Sequence, residues 1–226
     1  MKQKGKEWLI RIIILMIGLT FAHLGVSLFL LSDFGTDPFN VTVQGIFRTL
    51  SELTKWTFLT HGRIHIAINL LIIIILLFID RSYIKVGTVI CMICGGPIID
   101  FFNMILTPIF EGINTLPVRI GLLVAGCAIL AYGVTIVIQS KAGTGPNDLV
   151  AVVISDKLKK KFSIIRVIVD AGFALIGYLL GGTVGVGTLI CMVLVGPIAG
   201  FFLPINGRII GSIFRRFKVD TSAKSH

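Results

Sequence analysis

Apolar residues of this chain form six long stretches, separated by short segments that are polar or rich in glycine. The stretches are Leu9–Leu31, Ile64–Ile79, Val86–Phe110, Val118–Ile138, Ile164–Leu180 and Val184–Ile205. Their lengths are close to the roughly 17–25 residues that a helix needs to cross a bilayer. A buried helix of a soluble protein would keep a polar face, and the run Leu70–Ile79 has none. The pattern therefore predicts six long membrane-spanning helices.

Composition indicates the same class of protein. Hydrophobic residues make up 55% of the chain and charged residues 14%, and the mean hydropathy is +0.96, far from the soluble globular average. The formal net charge is +10, and the basic residues lie at helix ends and in the tails, as the positive-inside rule describes. No aromatic–basic stripe typical of single-strand binders is present. We expect a multi-pass protein of the cell (plasma) membrane, with the lipid bilayer as its partner and no nucleic acid.

The two ends of the chain are basic. Residues 1–8 are predicted to form a cytoplasmic tail before a retained first helix, because the apolar run that follows is too long for a cleaved signal peptide. Residues 206–226 are predicted to form a basic amphipathic tail. Within them, Asn206–Lys218 alternates Ile and Phe with Arg and Lys, which is typical of a helix lying on an anionic leaflet. Both termini are therefore expected in the cytoplasm.

Two pairs of segments show that the chain repeats itself. Residues 25–38 read GVSLFLLSDFGTDP and residues 133–146 read GVTIVIQSKAGTGP, with six of fourteen positions identical. Residues 85–102 match residues 185–202 at eleven of eighteen positions. Internal repeats in a very apolar chain are typical of membrane carriers.

The repeats predict an all-α polytopic membrane protein built from two tandem homologous halves. The first half covers residues 9–110, a linker covers 111–117, and the second half covers 118–205. Each half is predicted to contain three long helices and one short helix that starts at a Gly-Thr-x-Pro turn. The short helices begin at Pro38 and Pro146, which gives six long spans and eight segments in total.

Turn chemistry marks the start of each short helix. Gly35 and Gly143 give the backbone freedom for the sharp turns. Proline suits the first helical position that follows. Asp37 is placed to cap the first short helix, and Asn147 and Asp148 lie in the first turn of the second.

The short helices decide the topology. If they cross the bilayer, each half has four spans and the repeats are parallel; if they only dip into it, each half has three spans and the repeats are inverted. The link after the short helix is basic in both halves, with Arg48, Lys55 and Arg63 in the first and Lys157, Lys159, Lys160, Lys161 and Arg166 in the second. Inverted halves should carry opposite charge bias at equivalent links. The charges therefore favour parallel repeats.

The two turns also carry a resemblance. Gly-Thr-Gly-Pro-Asn-Asp at 143–148, its counterpart at 35–40 and the later Gly-Thr and Gly-Pro-Ile segments resemble the YczE/YyaS/YitT family of bacterial integral membrane proteins. The resemblance covers roughly residues 9–205 and implies an integral membrane location and a helical architecture. It implies no particular reaction. The first turn departs from the family pattern, with Asp37 in place of the second glycine and Asn40 in place of aspartate.

Polar residues at membrane depth are the candidates for a binding site, because burying them there is costly. Helix N-termini inside the membrane also offer free N–H groups that suit anionic solutes. The simplest alternative is that the turn residues only cap the short helices. The candidate substrate-binding residues are Gly35, Thr36, Asp37, Asn40, Gly143, Thr144, Asn147, Asp148, Asp170 and Asp100.

Three further polar residues have alternative interpretations. Asp170 follows Arg166 by four residues, so the two can form a structural pair on one helix face, and a proton relay through Asp170 is the alternative. His23 and His65 have no polar counterparts in the other half, since the nearest alignment places His65 opposite Ile168. Single histidines on apolar helices are expected to be hydrogen-bonded structural residues.

Catalytic and metal-binding motifs are absent from the sequence. The four cysteines, Cys91, Cys94, Cys127 and Cys191, lie inside apolar stretches, where small residues usually serve helix contacts. A single Cys-x-x-Cys pair without further ligands is weak evidence for a metal. No phosphate-binding loop, nucleophile elbow or zinc-protease motif occurs. We therefore expect no enzyme, no cofactor and no metal.

The duplication and the polar first turns favour a secondary transporter of a small solute, with an anion as one candidate, whose site lies between the two repeats. The alternative is a membrane scaffold, or an assembly or regulatory factor, that does not transport. A cavity that reaches the polar turns would favour the transporter, and tight, dry packing there would favour the scaffold. Solute identity and oligomeric state are left open by the sequence.

Overall fold

The computed structural model of the protein describes residues 2–54, 59, 61–110, 115–217 and 219. Across these residues the chain is all-helical, with eight α-helices and one 3-10 turn at Arg81–Tyr83, so the all-α prediction is confirmed. The helices are α1 (Lys2–Leu31), α2 (Pro38–Thr54), α3 (His61–Ile79), α4 (Val86–Phe110), α5 (Leu116–Ser140), α6 (Pro146–Leu158), α7 (Phe162–Leu179) and α8 (Val186–Arg216).

Each predicted apolar stretch lies in a helix, apart from Leu180 after α7 and residues 184–185 before α8. Five of the described helices, α1, α4, α5, α7 and α8, are long and apolar enough to cross a membrane. The sixth, α3, has a shorter apolar part at Arg63–Ile79. The remaining two helices, α2 and α6, have only 17 and 13 residues. The division into long and short helices agrees with the prediction.

The centre of the protein is the packing of α1 against α5. Glycines allow their backbones to approach closely, as is usual where membrane helices meet. Gly18 lies against Val137, and Gly25 lies against Leu130. Since residue numbers rise along α1 while they fall along α5, the two helices run antiparallel.

Two other helices run beside this central pair. Helix α4 is parallel to α1, because Gly87 meets Leu15 and Gly95 meets His23. Helix α8 is likewise parallel to α5: the side chains of Cys127 and Cys191 are neighbours, and further along Asn206 Nδ2 donates to Thr135 Oγ1 at 2.7 Å. All four helices therefore lie along one axis.

The expected parallel arrangement of the halves is wrong. Residues 25–38 and 133–146 match in sequence, yet they lie at the ends of α1 and α5, which point in opposite directions. One charge of the argument for parallel repeats, Arg48, lies within α2 and not in the link that follows it. Its Nη1 donates to the carbonyl oxygen of Gly181 at 2.7 Å and to the hydroxyl of Thr183 at 3.0 Å.

The short helices end on opposite faces of the bundle. Thr49 Oγ1, near the end of α2, donates to the carbonyl oxygen of Leu180 at 2.9 Å, beside the start of α8. The end of α6 instead lies near Tyr83, which donates a hydrogen bond to Asp156. That second face also holds the start of α1 and the end of α8, where Arg11 lies 5.2 Å from the Phe214 ring centroid.

The predicted separate tail helix is wrong within the described residues. Helix α8 continues without a break to Arg216, so Asn206 and the residues after it extend a long helix. Ile210 and Phe214 are buried in a cluster with Ile14 of α1, because their apolar side chains pack against the bundle and not against lipid. Residues 218 and 220–226 of the tail, residue 1, and residues 111–114 of the linker lie outside the described residues.

The α1–α5 contact gives a stability prediction. A Cβ atom at Gly133 would collide with the backbone of Ala22, whereas one at Gly121 would meet no atom within 4 Å. Gly133→Ala should therefore lower the stability of the purified protein by about 1–3 kcal/mol, the usual cost of overpacking. Gly121→Ala is the matched control and should melt at the wild-type temperature or slightly above it. Equal melting temperatures for the two variants would contradict the close packing.

Candidate functional site

The turns that precede α2 and α6 share one backbone geometry. Gly35 has a φ of 129° and Gly143 has a φ of 133°, a region that residues with a side chain rarely adopt. The prediction that these glycines serve the turns is therefore confirmed.

Each turn is held by the start of a helix from the other half of the chain. The amide of Gly187 donates to the carbonyl oxygen of Phe34, and the amide of Gly87 donates to that of Ala142, both at 2.9 Å. The Thr188 hydroxyl also donates to the carbonyl oxygen of Thr36 at 2.5 Å. The start of α8 thus supports the first turn and the start of α4 supports the second.

A cavity of about 430 Å³ lies where the two turns approach each other. It is bordered by α1, α3, α4, α5 and the first residues of α2 and α6, with Arg166 of α7 and Cys191 of α8. Its charged and strongly polar lining residues are His23, Asp37, Asn40, His65, Asn69, Asp100, Asn147, Asp148 and Arg166. The remaining lining is apolar or small, which is the usual composition of a small-molecule pocket.

The cavity brings together half of the predicted site residues. Those that line it are Asp37, Asn40, Asn147, Asp148 and Asp100. The other predicted residues, Gly35, Thr36, Gly143, Thr144 and Asp170, are not part of its lining. The turn glycines and threonines form the two turns themselves. Asp170 does not line the cavity but accepts a hydrogen bond from Arg166, which does.

The second half contributes a three-residue charge cluster. Arg166 Nε donates to Asp170 Oδ2 at 2.8 Å, so the predicted i, i+4 pair is present. Arg166 Nη1 also forms an ion pair with Asp148, which the sequence did not reveal. The side chains of Arg166, Asp148 and Asp170 are only 10%, 17% and 4% exposed. One guanidinium therefore pairs with one buried and one partly buried carboxylate.

The first half contributes a cluster with a different chemistry. Asp37 caps α2 as predicted, because it accepts hydrogen bonds from the amide of Asn40 at 3.2 Å and from its Nδ2 at 2.6 Å. On α3, Asn69 Nδ2 lies 3.2 Å from His65 Nδ1. Asn69 is only 3% exposed, and its Oδ1 has no hydrogen-bond partner among the described residues.

Helix register reveals a correspondence that the nearest alignment missed. On α3, His65 and Asn69 lie four residues apart, as Arg166 and Asp170 do on α7. Pairing the helices on these residues sets His65 opposite Arg166, whereas identity matching sets it opposite Ile168. The available signal was a polar pair at i, i+4 on each helix, which identity matching overlooks because the residue types differ.

Two polar residues of the lining behave differently from expectation. Gly145 is the N-cap of α6, and the helix has no side-chain cap, so Asn147 is not the cap that the simplest alternative required. His23 Nδ1 lies 2.8 Å from the carbonyl oxygen of Leu19, one turn earlier on α1. His23 is thus hydrogen-bonded as expected, and it also borders the cavity.

Metal-ligand geometry is not found in the described part of the chain, where no group of three or more His, Cys, Asp or Glu side chains is close enough to hold an ion. The four cysteines are free thiols. What the cavity offers a ligand is carboxylates, amides, imidazoles and one paired guanidinium.

Comparison with known proteins identifies the family of this chain. Residues 9–204 match a family of unknown function, DUF6198. The chain belongs to this family. It is 28% identical to uncharacterized membrane protein YczE of Bacillus subtilis (strain 168) over 83% of this chain and 82% of that protein. It is 27% identical to uncharacterized protein YyaS of the same organism, over 88% and 96%. An uncharacterized protein of Haemophilus influenzae is 28% identical over 87% and 84%.

The family match agrees with the resemblance drawn from the two turns, and the protein is a membrane protein with several transmembrane helices. No solved structure matches the chain. The function therefore has to be argued from the cavity itself.

Proposed function

We propose that the protein is a secondary transporter of a small polar solute, and that the central cavity is its binding site. The observation that carries the proposal is a cavity of about 430 Å³ that both polar turns border. A scaffold that does not transport would have no need for polar side chains around an internal space, since burying them there is costly. Broken helices that present polar first turns to such a space are typical of secondary transporters.

We further infer that the halves are inverted repeats. The matching ends of α1 and α5 point in opposite directions, and each turn is supported by the start of α8 or α4 from the other half. Inverted repeats give a carrier two alternative states, because each half can adopt the conformation of the other.

An asymmetry between the halves supports this mechanism. On the α7–α8 side the helices pack closely, and a Cβ at Gly196 would lie 2.5 Å from the carbonyl oxygen of Ser163. A Cβ at its sequence counterpart on α4, Gly96, would meet no atom within 4 Å, and no comparable packing joins α3 and α4 over the described residues. One helix pair is closed and the other is open, as alternating access requires.

The charges of the cavity argue against the anionic solute that helix N-termini led us to expect. The N-terminal amides of α2 already have a carboxylate, since Asp37 accepts from the amide of Asn40. Asp148 places a second carboxylate in the first turn of α6. An anion would have to enter beside these charges, at a substantial electrostatic cost.

Topology can be tested with single cysteines in a cysteine-free background. We expect a plasma-membrane protein with both termini in the cytoplasm, so Glu52, near the end of α2, should face outward. Glu52→Cys should then react with an impermeant thiol reagent in intact cells. Lys157→Cys, near the end of α6, is the matched control and should react only after the cells are opened. Labelling of both sites from the same side would contradict inverted repeats.

Transport is tested directly with the purified protein. A thermal-shift screen against small metabolites should find solutes that raise the melting temperature, because a ligand of the native state stabilises it. The same solutes should then enter liposomes that contain the protein and should not enter empty liposomes. Solutes that bind without entering would overturn the transporter and favour a sensor or scaffold.

A further inference from the structure

We propose that the solute is a compact cation with N–H donors, such as a protonated amine or a guanidine, and that Asp37 and Asn69 bind it on the first-half side of the cavity. The inference rests on the proposed function and names the chemical class of its solute. It follows from the charges around the cavity and from one buried acceptor that lacks a partner.

Negative charge exceeds positive charge around the cavity. Its lining includes three carboxylates, Asp37, Asp100 and Asp148, and one guanidinium, Arg166. Arg166 is already shared by Asp148 and Asp170. Neither Asp37 nor Asp100 forms an ion pair within the described residues. A cation entering the cavity would provide the charge that these two carboxylates lack, and low polarity around them would strengthen the attraction.

Hydrogen-bonding capacity points to the same ligand. Asn69 is 3% exposed and borders the cavity, and its Oδ1 accepts no hydrogen bond from any described residue. Buried acceptors of this kind are normally satisfied. Asp37 accepts two hydrogen bonds, both from Asn40, and a carboxylate can accept about four. The site thus has unused hydrogen-bond acceptors, and the ligand should supply N–H donors.

The two clusters differ in how fully their polar groups are paired. The Arg166 cluster has its carboxylates and its cation in contact, whereas the corresponding residues of α3, His65 and Asn69, leave an acceptor open. The ligand should therefore bind against α2 and α3. A volume of about 430 Å³ lies toward the small end of the roughly 300–1,000 Å³ usual for ligand pockets, which fits a compact molecule.

Binding is tested with the purified full-length protein and four probes. Guanidinium and methylammonium should raise the melting temperature in a concentration-dependent way. Tetramethylammonium has the charge without an N–H group and should give a much smaller shift, and acetate should give none. Equal shifts with tetramethylammonium and methylammonium would overturn the role of N–H donors.

Variants locate the site. Asp37→Asn keeps a capping side chain but removes the charge, and it should weaken guanidinium binding at least about tenfold, as expected for a lost hydrogen bond to a charged group. Asn69→Leu should weaken it as well. Glu52→Gln is the matched control, since Glu52 lies on the same helix, is exposed and does not line the cavity. Unchanged affinity in Asp37→Asn, with a wild-type melting temperature, would overturn the site.

The outcomes separate this inference from the proposed function. If anions or neutral solutes shift the melting temperature and enter liposomes while guanidinium and methylammonium do neither, the cation class is wrong and the transporter stands. If the cations bind at Asp37 but never cross the liposome membrane, the cation site stands and transport is wrong.

Discussion

Replacing Arg166 with methionine should destabilise the protein by about 3–5 kcal/mol, the usual cost of breaking a buried ion pair. Arg166 is bonded to both Asp148 and Asp170, and all three side chains are at most 17% exposed. Methionine would fill much of the space but leave two carboxylates without a counter-charge. The free energy of unfolding, or the melting temperature of the purified protein, measures the effect.

A triple variant is the matched control for this prediction. Arg166→Met combined with Asp148→Asn and Asp170→Asn removes all three charges together, so no carboxylate is left unpaired. It should recover most of the lost stability, because replacing a whole buried ionic cluster by neutral groups is often close to neutral. A triple variant as unstable as the single one would show that Arg166 stabilises through packing and not through its charge.

The helices could be predicted from the sequence because membrane spans depend on composition over long windows. All six apolar stretches, and the starts of α2 and α6 at Pro38 and Pro146, are found as predicted. The relative direction of the halves could not be predicted from loop charges. Arg48 counted as a loop charge, yet it is committed to the carbonyl oxygen of Gly181, and such a tertiary contact is invisible in a charge count.

The site was predictable where it follows from local turn chemistry. Asp37 caps α2, Asn40 lies in its first turn, and both line the cavity, since a helix start fixes where its first side chains are. The Asp148–Arg166 pair depends instead on how α6 packs against α7. That packing joins residues 18 positions apart, and no sequence periodicity encodes it. The open acceptor on Asn69 likewise became visible only with its neighbours in place.

Alternating access can be tested at Gly96 of α4. A Cβ at this residue would meet no atom within 4 Å, so Gly96→Ala should leave the observed state undisturbed and its melting temperature at or slightly above that of the wild type. In the alternative state α3 should close on α4 as α7 closes on α8. There a Cβ at position 96 would meet the collision that Gly196 now avoids with Ser163.

Overpacking by one methyl group costs about 1–3 kcal/mol, which would reduce the population of the alternative state by roughly 5–150-fold at 1.4 kcal/mol per factor of ten. Gly96→Ala should therefore bind the solute normally but lower its rate of entry into liposomes by roughly 5–150-fold. Gly121→Ala, the same substitution at another open position, should transport at the wild-type rate. Gly196→Ala should instead lower the melting temperature, because its collision is present in the observed state. Normal transport by Gly96→Ala would mean that α3 never closes on α4, and the two halves would then not exchange conformations.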